Sequence, residues 1–312
     1  MLLMLSSLSP SPLYAQELTF EQALSAVDES SAAVRFGMQQ DDDFRQRKVS
    51  ECQERMLKPL IFDAPNLSCS VDHLLTPLQR QKLLVLRRFL DVLLADGRAG
   101  LENEALAIAF IDFDRTQTRM QLGQRSELDV SQFQSLYQPV RVRFTEGEKS
   151  QRLSRELLAL AQGKPGELSA DVEIPDFNAW LQLPETETKE MIARALQSNP
   201  VLQKVTNETP LHEMMRDQLR YSIIEIMQAL DVMQIEMESA QALIDYRDLY
   251  LDRSRTLYEL EVKADLGDSM VEQTGARLAY HETLYQLVML RATLNALQGY
   301  PLDKGLKQDK EE

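Results

Sequence analysis

Between Leu219 and Ile244 eight apolar residues, Leu219, Ile223, Ile226, Leu230, Met233, Met237, Ala240 and Ile244, follow one another at spacings of 4, 3, 4, 3, 4, 3 and 4. A straight α-helix turns about every 3.6 residues, so a sustained repeat of about 3.5 keeps its apolar seam on a partner only when the pair supercoils left-handedly. The seam extends through Leu251 to Tyr258, and a break at Asp265-Leu-Gly-Asp268 precedes a last helix running to about Leu297, closed by Gly299 and Pro301. The chain is therefore built around long paired rods. With only 11 Gly and 12 Pro among 312 residues, it lacks the breakers that a sandwich or other turn-dense β fold requires.

The first half carries the same plan. Thr19 is a candidate N-cap with Gln22 at the capping-box spacing, opening a helix expected to run to about Met56. Two prolines break the pattern between Lys58 and His73, and helix resumes at Thr76-Pro77, where proline suits a first turn. From there to Ala161 only Gly97, Gly100, Gly123, Gly147 and Pro139 interrupt an apolar-periodic run, which predicts a hairpin with Gly123 near the turn and a kink at Pro139. A linker over 166–185 follows, then a helix from near Glu187 to Asn199-Pro200, and a short break from Thr206 to Pro210. Gln162-Gly-Lys-Pro165 and Gln298-Gly-Tyr-Pro301 end the two halves at equivalent points, an internal repeat of roughly 140 residues. The expected organisation is a first helical repeat over 16–165, the linker, a second repeat over 186–301 and a charged, disordered tail over 302–312. Rods of 40 to 50 residues would be about 60 to 75 Å long and cannot bury their stripes inside one globule. The expected class is all-α, long antiparallel hairpins in two pseudo-repeats.

A net charge of −15 argues against a nucleic-acid partner, because phosphate binding needs a cationic face. No window reaches the roughly 18 to 20 apolar residues of a membrane-spanning helix. The stretch Met1 to Ala15 reads as a secretory leader lacking its basic start, with cleavage after Ala15; an uncleaved tail is the alternative. In an exported chain Cys52 and Cys69 can form a disulfide closing a short loop, worth roughly 3 kcal/mol, while two separate buried thiols are the other reading.

Catalytic chemistry has little support. His73, His212 and His281 are scattered and lie in no HExxH or nucleophile-elbow context. His212-Glu213 and His281-Glu282 read as solvated helix positions. The thioethers of Met214, Met215, Met227, Met233 and Met237 would suit Cu(I), yet Met233 and Met237 fall on the apolar stripe and read as core. Asp41-Asp-Asp43 reads as a solvated face. No enzyme activity, cofactor or metal is expected.

Several segments resemble the outer-membrane efflux protein (TolC) family of Gram-negative bacteria. Leu18-Thr-Phe-Glu-Gln-Ala-Leu24 is similar to the family's opening helix and Ile192-Ala-Arg-Ala-Leu-Gln-Ser-Asn-Pro200 to its counterpart in the second repeat. Leu122-Gly-Gln-Arg-Ser-Glu-Leu-Asp129 resembles the helix-turn-helix tip, and Leu257 to Asp268 a second tip that departs from the pattern in carrying Glu261 where glycine is usual. The resemblance spans about residues 17 to 301.

That resemblance implies a homotrimer whose helices form a periplasmic tunnel, with tip turns that receive the adaptor protein of an inner-membrane pump. Gly123 would allow the turn, Ser126 and Asp129 would cap the return helix, and Leu122 and Leu128 would be left to touch a partner; a plain αα turn is the competing reading. In the second tip, whose Asp is shifted by one from the pattern, Asp265, Gly267 and Asp268 form the turn, the aspartates as caps or as negative charge at a pore entrance. The family also carries four membrane β-strands per subunit. Here their sites run only from Lys58 to Thr76, where Pro59 and Pro65 oppose a ladder, and from Thr206 to Pro210. Two membrane strands of about 9 to 11 residues each with a loop need at least about 20 residues, so the barrel is expected to be missing. The implied function is an efflux or secretion component in the periplasm, associated with the outer membrane; a periplasmic coiled-coil scaffold without transport is the alternative.

Overall fold

A computed structural model describes residues 17–56, 69–166, 171–181, 186–205, 209–261 and 265–302. The expected leader with its cleavage point, most of the charged tail and parts of the linker lie outside the described residues. Nine α-helices occur among the described residues: α1 (Phe20–Ser25), α2 (Ala32–Gln39), α3 (Asp41–Met56), α4 (Pro77–Gln121), α5 (Glu127–Ala161), α6 (Asn178–Leu181), α7 (Thr188–Ser198), α8 (Pro210–Glu259) and α9 (Leu266–Leu297). The described residues contain no strand, only a parallel bridge between Leu18 and Val172 that ties the linker to the start of the chain. No helix is long and apolar enough to cross a membrane among the described residues.

Local chemistry sets most of the helix starts. Thr19, Thr76 and Ser126 each close a capping box with the residue three positions on, Gln22, Gln79 and Asp129. Thr209 caps α8 by accepting the N–H of His212, and Pro77 and Pro210 fill first turns where no N–H is needed. One expectation fails: the helix foreseen from Thr19 to Met56 is three helices, α1 to α3. The Asp28 carboxylate accepts from the N–H and hydroxyl of Ser30, at 2.9 and 2.7 Å, which offers the chain a turn in place of helix. The run through Pro139 stays one helix, α5.

The four long helices lie side by side in the order α5, α4, α9, α8, since α4 packs on both α5 and α9, and α8 on α9. The apolar core gathers at the end where α1 to α3, α6 and α7 wrap the rods. Phe20 meets Phe89 edge to face at 5.7 Å, and Trp180, Met191, Leu219, Ile223, Ile226, Leu230 and Val288 complete a continuous cluster. The heptad stripe is buried from Leu219 to Met237 and half-buried at Ala240 and Ile244 as it leaves this core.

Further out the rods are joined by polar pairs. Arg155 reaches both carboxylate oxygens of Asp96 at 2.7 and 2.9 Å, and Arg143 meets Glu102 at 3.1 Å, linking α5 to α4. Thr274 donates to Glu104 at 2.8 Å and Arg98 pairs with Glu282, linking α9 to α4. Arg277 meets Asp248 at 3.2 Å, and the buried hydroxyls of Ser254 and Ser269 lie 2.8 Å apart, linking α8 to α9.

Asn199 knots the two repeats together. Fully buried at the end of α7, it donates to the carbonyls of Leu74 and Leu297 at 3.1 and 3.0 Å and accepts the N–H groups of Val201 and Leu202. Beside it the chain passes so close that a Cβ on Gly299 would lie 2.7 Å from the Ser198 carbonyl oxygen.

Candidate functional site: the hairpin tips

The first tip is a short, fully local device. α4 ends with the N–H of Gly123 on the Met120 carbonyl at 2.9 Å and that of Gln124 on the Arg119 carbonyl at 2.8 Å. This Schellman pairing needs a left-handed residue, and Gly123 supplies it at φ 73° with open space around it. The chain then enters α5 through Ser126 and Asp129. The Asp129 carboxylate accepts the Ser126 N–H at 2.9 Å and its hydroxyl at 2.8 Å, and these bonds hold the carboxyl below its ordinary range. Leu122 and Leu128 point outward, 67% and 77% exposed.

The second tip uses different parts. Glu261 follows α8 at φ 57°, the left-handed region, with its N–H on the Tyr258 carbonyl at 3.1 Å. Asp265 occupies the N-cap position of α9 yet makes no side-chain cap, so the expected capping by Asp265 and Asp268 is not what the structure holds. The Asp265 carbonyl accepts from the Ser269 hydroxyl at 2.7 Å instead. Asp268 lies near Asp265, Asp112 and Glu272, and burial, reinforced by these carboxylates, raises its pKa. Gly267 is a contact residue, since a Cβ there would lie 3.1 Å from the Ile108 side chain of α4.

This contact sets the two tips at different heights. Gly267, at the start of α9, is level with Ile108, and α4 continues from there to Gln121, about 20 Å of further helix. The extension is stiffened by aromatic packing between the arms: Tyr137 of α5 stacks on Phe113 at 5.6 Å and lies against Phe110 at 6.0 Å. The structure thus brings Leu122, Gly123, Ser126, Leu128 and Asp129 together in one tip and Asp265, Gly267 and Asp268 in another, set back from it. Helical periodicity fixes which face of a rod is buried, not its axial offset from a neighbour, so the sequence carried no signal for this step.

At the opposite end Cys52 and Cys69 are joined, Cα to Cα 5.2 Å, holding α3 to the segment that leads into a 3-10 turn at Asp72–Leu74. His73 in that turn is fully buried, and burial lowers its pKa against the opposing effect of Gln218 and the Ser70 backbone. His212, read from the sequence as solvated, is buried where α7 covers the first turn of α8, while His281 is exposed. The described residues contain no group of three His, Cys, Asp or Glu side chains placed to hold a metal.

No protein-family model and no curated protein matches the sequence. Solved structures do. The CmeC outer membrane channel of Campylobacter jejuni superposes with a TM-score of 0.53 at 9% identity, over 94% of this chain and 87% of that one. The VceC outer membrane protein of Vibrio cholerae gives 0.50 at 9%, over 92% and 95% of the two chains. The outer-membrane channel OprN gives 0.52 at 12%, over 84% and 71%. Shared folding at this identity establishes architecture: the chain has the all-α, double-hairpin arrangement expected from its resemblance to the TolC family.

Proposed function

We propose that the chain is a TolC-like component of an envelope efflux or secretion system, a helical periplasmic tunnel segment or accessory that docks a pump adaptor through its hairpin tips. The observation that carries this reading is the four-rod layer α5, α4, α9, α8 with both turns at one end, in the fold of outer-membrane channels. Its outer rods keep apolar side chains in solvent, Leu136, Val142 and Leu153 on α5 and Val232, Ile235 and Leu249 on α8. Copies of the chain meeting edge to edge would cover them, which favours a closed ring, a homotrimer in the family that the chain resembles. The projecting first tip, with Leu122 and Leu128 exposed beside a rigid turn, supplies the apolar contact for an adaptor hairpin. The test is a photoreactive or cysteine crosslinker at Gln124 and at Leu266 in cells. Capture of a pump adaptor from both positions is expected, and capture of no envelope partner overturns the proposal.

A second reading has one observation in its favour. Only three residues separate Val205 from Thr209, far short of two membrane strands of about 9 to 11 residues each. A periplasmic coiled-coil scaffold without a conducting barrel fits that gap, and it requires unchanged drug and metal tolerance when the gene is deleted.

A further inference from the structure

We propose that the cleft between α7 and the first turns of α8 binds a small amphipathic anion, a carboxylate carried on a short apolar body. The cleft is open on one side and has a volume of about 530 Å³, in the size range of small-molecule sites. Leu196 of α7 and Leu202 in the following turns form its apolar wall, Gln197 and Gln203 lie along its rim, and α8 contributes His212 and Arg216.

His212 carries the argument. It is only 8% exposed, and its imidazole makes no hydrogen bond to any described residue, although it lines this cavity. The ring nitrogens are not sealed from solvent, and since the ring lines the cleft, a ligand seated there would meet them. Arg216 stands one turn further along the same face of α8 and forms no ion pair with a described residue. The Gln203 amide is already committed, donating to the Gln197 carbonyl at 2.8 Å, which fixes one side of the opening.

The charge balance selects the sign of the ligand. Asp and Glu make up 49 of the 312 residues, yet no described one lines this cleft, whereas a guanidinium does. The cleft also opens at the N-terminal end of a 50-residue helix, the positive end of its dipole. A carboxylate would lie between Arg216 and the His212 ring, and its apolar body would cover Leu196 and Leu202. This site is at the core end of the molecule, remote from the tips, and does not depend on the efflux reading.

The test is calorimetric titration of the full chain with octanoate, against octylamine and inorganic phosphate as comparison ligands and Arg216→Gln as the variant. Arg216 is exposed, so the variant folds, and matching thermal melts check this. One saturable octanoate site is expected, weakened at least about tenfold in Arg216→Gln, with no binding of octylamine and no displacement by equal phosphate. Octanoate binding that Arg216→Gln leaves unchanged, equal binding of octylamine, displacement by equal phosphate, or no saturation at millimolar octanoate would each overturn the proposal.

Discussion

Glu261 stands at the end of α8 where Gly123 stands at the end of α4: each donates its N–H to the carbonyl three residues back, and each takes a left-handed backbone, at φ 57° and 73°. Gly163 and Gly299 repeat the arrangement at the ends of α5 and α9, so four helix ends share one stop and only one of them is built with a side chain. A Cβ in that conformation costs about 1 kcal/mol.

Glu261→Gly should therefore raise stability by up to about 1 kcal/mol, and Gly123→Ala should lower it by about the same amount. Urea unfolding followed by circular dichroism reads both. If the two substitutions shift the midpoint in the same direction, the left-handed assignment at Glu261 is wrong.

Asn199 should be among the costliest polar positions in the chain. Asn199→Ala strips the partners from the buried carbonyls of Leu74 and Leu297 and from two N–H groups, an expected loss of about 3 kcal/mol or more. Asn199→Asp keeps the acceptor and loses both donors, so it should not rescue. A loss below about 1 kcal/mol, within the range of an ordinary exposed hydrogen bond, would mean the knot is relaxed in solution.

The Cys52–Cys69 bond should contribute roughly 2 to 4 kcal/mol, chiefly by restraining the unfolded chain. Paired denaturation curves with and without a reductant would show it. Identical curves would place the thiols apart in solution.

His73 gives the core end an acid sensitivity. Its folded-state pKa is lowered from 6.5 by burial, so the unfolded chain takes up a proton at a pH where the folded one resists. Stability from this group is intact above about pH 6.5 and falls as pH drops from there toward the lower folded-state value. Comparing unfolding midpoints at pH 7.5 and 5.5 in the wild type and in His73→Leu isolates the effect, because the variant should lose this part of the pH slope.

The edge-to-edge ring proposed above makes a statement about mass. Residues 16 to 312, prepared without detergent, should elute at about three times the chain mass by light scattering. A monomer at all concentrations would leave the outer rods bare and favour the scaffold reading.

Much of the architecture was legible because its signals are local. Thr19, Thr76 and Ser126 announce helix starts through side chains that reach only three residues, and Gly123, Gly163 and Gly299 announce ends through one dihedral angle. The seam from Leu219 to Met237 was readable for a similar reason, since period alone decides which face is buried. What escaped was partly a local side-chain detail and partly tertiary. Asp28 and Ser30, two residues apart, break the first helix through hydrogen bonds that apolar periodicity does not register, and His212 is buried by α7, a separate segment. Glu261 is held left-handed against its own preference, and the meeting of Gly267 with Ile108 depends on two hairpins agreeing on an offset.

That offset changes what the end of the molecule offers to a neighbour. A blunt end presents both turns in one plane and can be met by a flat surface. Here the first hairpin runs about 20 Å past the level of Gly267, stiffened by Phe110, Phe113 and Tyr137, so the end is a ledge with a post beside it. A partner seated on the ledge formed by Asp265 to Asp268 would touch the side of the post as well as the tip below it, and its orientation around the long axis would be fixed by shape before any side chain was read.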